Sequence, residues 1–424
     1  MATTDTLILN TPRQSTPRAA VWVLIGSSLL IKAAGFAWDF LGYFVSDSLG
    51  HGTTVAGAAL TCFGIGWCAG LTMAGALTDR FGKRAALTWL MALSSLACFA
   101  LAVAESMPAL LVVSFFLGMT MEIHRPAVSA TINDAIDSEA GRTRAQSWLY
   151  WASNFGIAIC AALGGYLAQH SGYRLLFVIN GLACLIFAAI AHRALAPRNL
   201  TPCEGASAAT YREVFADPAL RWIALVAVCG MTCAWGLVSV LPLLMTADNL
   251  PPTAYGLVMI ANTVTVLALT PPLTRLLVGA GETPKYPIVP TLAVGCGVLG
   301  LGVSGAALQH TTIGYALAAG LMVPGEIALS VALAGYISAY APRHATGRYQ
   351  AVLSGANAVA SLPPLGVALA LNAGGRPLVA ALLLGTAVVA IVSCRRLHRA
   401  LPVAAPEISL SSVAPAGNPA RSKS

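Results

Sequence analysis

"GALTDRFGKRAAL", residues 75–87, closes one apolar run and opens another, with only a short basic turn between them. Gly75 and Gly82 permit close packing and a sharp turn, and Asp79 can accept hydrogen bonds from a neighbouring helix end. Arg80, Lys83 and Arg84 place three cations in the same turn. Positive charge of this density between apolar runs is the mark of a short cytoplasmic loop joining two membrane-spanning helices.

The rest of the chain agrees with that reading. It is 57% hydrophobic and 9% charged over 424 residues, with a mean hydropathy of +0.76, where a soluble domain carries about 25% charged residues. Apolar runs of about 20 residues, enough to cross about 30 Å of hydrocarbon as a helix, recur from end to end. The pattern predicts an all-α membrane protein with twelve transmembrane helices, at 20–45, 54–77, 85–104, 108–131, 146–168, 174–194, 220–246, 254–278, 286–308, 312–340, 347–372 and 376–397. No soluble domain is left over for an attached enzyme or sensor. There is also no Walker-type phosphate loop, no metal-ligand cluster and no nucleophile-histidine-acid arrangement, so neither an enzyme nor a cofactor is expected.

Orientation follows from the basic residues. With the N-terminus inside, 20 of the 24 Lys and Arg residues fall in cytoplasmic segments, Arg174 and Arg376 fall outside, and Lys32 and Arg125 fall within the membrane. Residues 1–18 have no apolar core that would make a cleavable signal, so both termini are expected in the cytoplasm of a multi-pass protein of the bacterial inner membrane. The formal charge of +8 is then the signature of topology and anionic lipid headgroups, with no nucleic-acid partner implied. Cysteines such as Cys160, Cys229 and Cys233 lie in apolar runs, where a free thiol behaves as a small hydrophobe and a metal site is not expected.

The domain organisation predicted is a tail at 1–18, a six-helix bundle at 19–194, a linker at 195–219, a second six-helix bundle at 220–398 and a disordered tail at 399–424. Within the linker, "TYREVFADPALR" is expected to form a short amphipathic helix ahead of Pro218. Sliding the chain on itself by 204 positions pairs Arg144 with Arg348, Gln146 with Gln350 and Glu122 with Glu326. Offsets of 201 and 202 pair Asp47 with Asp248 and Arg174 with Arg376. Such internal duplication is the build of many transporters, with the substrate path between the two bundles.

With these residues in place, the opening segment resembles the signature loop of the major facilitator superfamily, G-x-L-x-D-R-x-G-R/K-R/K, matched at Gly75, Leu77, Asp79, Arg80, Gly82, Lys83 and Arg84. The resemblance covers about residues 18–398 and implies two pseudo-symmetric six-helix bundles. It also implies a conformational latch at Gly75, Asp79, Arg80, Gly82, Lys83 and Arg84 that closes the cytoplasmic side in the outward-open state. The matching stretch of the second half, "LTRLLVGAGETPK", lacks the Asp-Arg pair. The fifth span is similar to the drug-exporter motif G-x-x-x-G-P-x-x-G-G, kept at Gly156, Gly164 and Gly165, with Cys160 and Ala161 in place of its central Gly-Pro. Pro363-Pro364 stands at the equivalent place in the second half, where it is expected to supply a kink.

Five ionisable residues stand well inside the predicted spans: Lys32, Asp39, Glu122, Arg125 and Glu326. Each charge at a helix centre costs about 2.5–3.5 kcal/mol on translocon scales, so each is expected to meet a polar cavity or a partner. Glu122 and Arg125, three apart, would share one helix face, either as a structural ion pair or with Arg125 left for an anionic substrate. Lys32 and Asp39, seven apart, would stand about 10 Å apart along one face, where one of them could meet the fourth helix or a substrate. Glu326 follows Pro324-Gly325 and has no basic neighbour within a turn. A carboxylate that titrates near neutrality in such a place can exchange one proton per cycle. His124 is expected to pack, and Trp148, Tyr150 and Trp151 to anchor at the interface. The expectation is a monomeric secondary transporter in the lipid bilayer, exporting a small amphipathic drug, toxin or metabolite against protons. The alternative is a symporter importing a polar or anionic metabolite held by Arg125 or Lys32.

Overall fold

The computed structural model describes residues 18–122, 124–136, 138–195, 216–278, 286–342 and 345–401. The expected amphipathic linker helix therefore begins outside the described residues, as does most of the C-terminal tail. Among those described, ten helices are long and apolar enough to span a bilayer. A further crossing is built from Met107–Met121 and His124–Ala135, and the segment Gly347–Ala400 reverses direction at Gly375. Twelve crossings result, at the places the hydropathy pattern predicts.

Several of the reversals use a glycine as the hinge, among them Gly82, Gly172 and Gly375. Gly82 (φ 81°) turns the second crossing, Gly52–Met73, into the third, Arg80–Val103. Gly375 (φ 66°) does the same between the eleventh and twelfth. Both angles lie in the left-handed region, where a Cβ is strained and glycine is not.

Several crossings are interrupted. The first runs as Arg18–Ala33, breaks at Ala34 and Gly35, and continues in short turns, Phe36–Asp39 and Leu41–Tyr43, before a wider π-type turn at Phe44–Ser48. The fourth runs as Met107–Met121, has Glu122 in a turn, and includes the helix His124–Ala135. The seventh pauses at Val240. The eleventh breaks between Val359 and Pro364, where the paired prolines cannot donate helix hydrogen bonds. Interrupted helices in a membrane protein leave backbone polar groups to be satisfied by the protein interior, so they mark polar interior sites.

The two halves close on one another at the end of the bundle away from the termini. Gly57 leaves room for the second crossing to lie on the eleventh: a Cβ there would meet Ala368 Cβ and Pro364 O, each at 2.8 Å. Thr61 Oγ1 donates to Leu362 O and accepts from Leu365 N, both at 3.0 Å, and Asn372 Nδ2 donates to Thr54 Oγ1 at 2.7 Å. Gly165 does the same for the fifth crossing against the eighth, since a Cβ would meet Pro252 O at 2.8 Å. Toward the terminal end the halves part. The face of the fifth crossing that is buried at Ala161 and Gly165 is exposed at Ser147 and Tyr150, which lie on the same side of the helix by its 3.6-residue period.

Candidate functional site

The cleft between the halves ends at a set of polar groups held by the broken helices. Lys32, in the last turn before the first crossing breaks, donates from Nζ to Glu122 Oε1 at 3.1 Å. Glu122 stands in the turn of the fourth crossing. The side chains are 18% and 14% exposed, so the pair is partly withdrawn from solvent without being sealed. Arg125, which the spacing would put on the face of Glu122, has its side chain outside the described residues.

Asp39 lies beyond the break in the first crossing. A continuous helix would have set it on the face of Lys32, whereas the break sends it to the fifth crossing, where Cys160 Sγ donates to Asp39 Oδ2 at 3.4 Å. Lys32, Glu122 and Tyr255 are within electrostatic range of Asp39. Gly156, Cys160 and Gly164 repeat every fourth residue and form the ridge of the fifth crossing that lies on the first. A Cβ at Gly156 would meet Lys32 Cβ at 2.7 Å, and one at Gly164 would run into the ring of Phe40. Gly165, one position on, faces the opposite half. The paired glycines thus let the fifth crossing touch a helix of each half at one level.

Glu326 sits on the tenth crossing, Thr312–Tyr340, two residues beyond Pro324. It is exposed, and it lies about 180° around the helix from the bilayer-side Leu317. Among the described residues it makes no hydrogen bond or ion pair. Its exposed face therefore looks into the cleft.

His124 is 1% exposed, its Nδ1 2.6 Å from Met121 O and its ring edge-on to Phe187. Trp148 and Trp151 form a ladder with Trp22 and Phe155 on the side of the fifth crossing that carries the exposed Tyr166, while Tyr150 is on the cleft side. At the basic turn, Arg80 is exposed with its guanidinium 5.4 Å from the ring of Phe81, and Arg84 Nη2 is 3.0 Å from His192 Nε2. Lys83 is half-buried, and the side chain of Asp79, like Gly75, is outside the described residues.

Sequence reasoning missed an aromatic cluster between the halves. Trp235 of the seventh crossing meets Trp38 and Trp67 edge-on, with ring centroids at 6.4 and 5.5 Å, and Trp38 tilts over Phe63 at 4.1 Å. Trp235 Nε1 donates to Asn357 Oδ1 at 2.8 Å, which fixes the indole. These rings come from three crossings and both halves, and no local spacing in the sequence brings them together. Cys160 was legible only as a small hydrophobe, although its position four residues from Gly156 and from Gly164 places it on the same ridge.

The profile described as Major Facilitator Superfamily matches residues 23–363. Over 171 residues, 40% of this chain and 42% of the relative, the sequence is 29% identical to the uncharacterized MFS-type transporter YttB of Bacillus subtilis. It is 26% identical over 243 residues to the 3-(3-hydroxy-phenyl)propionate transporter of Escherichia coli, covering 56% of this chain and 59% of that one. The chain thus spans about half the length of the curated relatives it matches. Among solved structures, a POT family transporter in complex with a thioalcohol conjugated peptide superposes with a TM-score of 0.72 at 15% identity, over 91% of this chain and 98% of that one. At that identity the likeness is one of fold.

Proposed function

The chain belongs to the Major Facilitator Superfamily, and from that premise we propose that this membrane transporter exports a small amphipathic compound in exchange for protons. The observation that carries the reading is the Lys32–Glu122 ion pair at the breaks of two helices, with the Asp39 carboxylate within electrostatic range of both. A proton on Glu122 cancels the charge that attracts Lys32 and so loosens the first crossing from the fourth. The energy at stake is that of a desolvated ion pair, enough to bias two packings of the bundle. With both termini in the cytoplasm, the closed end faces outward and the cleft opens inward, the state in which an exporter loads.

The test is efflux of a fluorescent amphipathic probe such as ethidium from everted vesicles under a pH gradient. Glu122→Gln and Glu326→Gln each abolish the gradient-driven component; unchanged efflux in both refutes the assignment.

A second reading is import of an aromatic carboxylate. It is favoured by the intramembrane cation Lys32 and by the Trp38–Trp67–Trp235 cluster between the halves, and by the substrate named for the Escherichia coli relative. Uptake of labelled 3-(3-hydroxyphenyl)propionate into right-side-out vesicles separates the two directions.

A further inference from the structure

The break in the first crossing is held from outside that crossing. In a continuous helix Ala37 N would donate to the carbonyl of residue 33. Here it donates to Asn180 Oδ1 at 3.0 Å, and both residues are fully buried. Phe36 N turns back to Ala34 O at 2.8 Å, and the ordinary four-residue spacing resumes with Phe40 N to Phe36 O at 2.9 Å. Asn180 Oδ1 thus stands in for the carbonyl that the break removes, capping the second part of the crossing in the way a side-chain oxygen caps a helix start.

The amide is oriented as well as placed. Asn180 Nδ2 donates to Cys184 Sγ, one turn further along the sixth crossing, at 3.8 Å, which leaves Oδ1 aimed at Ala37. The sixth crossing, Tyr173–Ala194, is otherwise strongly apolar here, in "LLFVINGLACLIF". An uncompensated amide in such a run is costly, so its retention asks for a polar duty.

We propose that Asn180 is a positioning residue for the coupling carboxylate: by holding Ala37 N it keeps the first crossing broken and sets Asp39, two residues on in the same turn, against Cys160. The proposal rests on the proton coupling proposed above and adds Asp39 to its carriers beside Glu122 and Glu326. Among the described residues, the titratable groups facing Asp39 are Lys32 on its own crossing, Glu122 on the fourth, Cys160 on the fifth and Tyr255 on the eighth. Asn180 acts on Asp39 through the backbone alone.

The test needs no substrate. The purified full chain in lipid is titrated by infrared difference spectroscopy, following the carbonyl stretch of the protonated Asp39 carboxyl, assigned as the band lost in Asp39→Asn. Asn180→Leu, and Asn180→Ala should the former not fold, displace the midpoint of that band by about one pH unit or more, a tenfold change in proton affinity. Leu176→Ala, a fully buried position on the same crossing, lowers the melting temperature without moving the midpoint. Coincident midpoints in wild type and both Asn180 variants overturn the positioning role while leaving proton coupling intact. A wild type in which no Asp39 band titrates at all overturns the proton-carrier reading and this proposal together, and the two failures are told apart by the wild-type spectrum.

Discussion

Lys32 and Glu122, ninety positions apart in sequence, meet at 3.1 Å where two crossings of the membrane are interrupted. Removing one member of a buried pair strands the other charge, which costs about 3–5 kcal/mol in a dry interior. At the partial exposure seen here, Glu122→Gln is expected to destabilise by about 2–3 kcal/mol. Lys32→Met with Glu122→Gln should recover much of that loss. Thermal unfolding of the two single variants and the double variant, arranged as a cycle, reads the coupling. Additive losses would mean that the contact contributes nothing.

Glu326 sets up the opposite case. With its side chain exposed to the cleft and no described partner, Glu326→Gln is expected to change stability by less than about 0.5 kcal/mol. Transport driven by a pH gradient should nonetheless be lost, while exchange of labelled for unlabelled probe at equal pH persists. A variant that melts several degrees lower would assign Glu326 to structure instead.

The closed end of the bundle depends on glycine. At Gly57 and Gly165 an added Cβ would sit 2.8 Å from backbone of the other half, a gap that no rotamer relieves. Gly57→Leu and Gly165→Leu should therefore hold that end apart. Cysteines placed at Thr54 and Asn372, whose side chains are hydrogen-bonded at 2.7 Å, report closure in a background without other cysteines. A short bifunctional thiol reagent should cross-link the parent several-fold faster than either glycine variant.

Two ion pairs at the same end differ in expected worth. Arg376 Nη2 lies 2.7 Å from Asp248 Oδ1, the side chains are 13% and 12% exposed, and Tyr315 Oη donates to the second carboxylate oxygen at 2.8 Å. Arg174 pairs with Glu105 at 57% and 68% exposure. Arg376→Met is expected to cost about 3 kcal/mol, and Arg174→Met less than about 1 kcal/mol. Melting curves of the two variants at low and high salt decide this; equal losses would show that burial does not govern the first pair.

Periodicity alone located the twelve crossings, because a run of about 20 apolar side chains satisfies its own backbone and partitions into hydrocarbon wherever it occurs. The loop at 75–87 and the half-chain repeat likewise needed no tertiary information: a motif and an offset are properties of the string. The candidate charges were visible for the same reason, since an ionisable residue in an apolar run stands out against its neighbours. Their partners were not. Helical spacing placed Lys32 and Asp39 on one face of the first crossing without saying which of them meets the fourth; the structure gives Lys32 to Glu122, and the break at Ala34–Gly35 sends Asp39 to Cys160.

What the string determined was therefore the number of crossings, the duplicated plan and the roster of charges, all of which follow from local composition. The tertiary structure alone decided which charge meets which, that Trp38, Trp67 and Trp235 converge between the halves, and which end of the bundle is closed. The physical reason is that a helix break is stabilised from a distance. The hydrogen bond from Ala37 to Asn180 spans 143 positions, and no local pattern announces a backbone group whose partner lies that far along the chain.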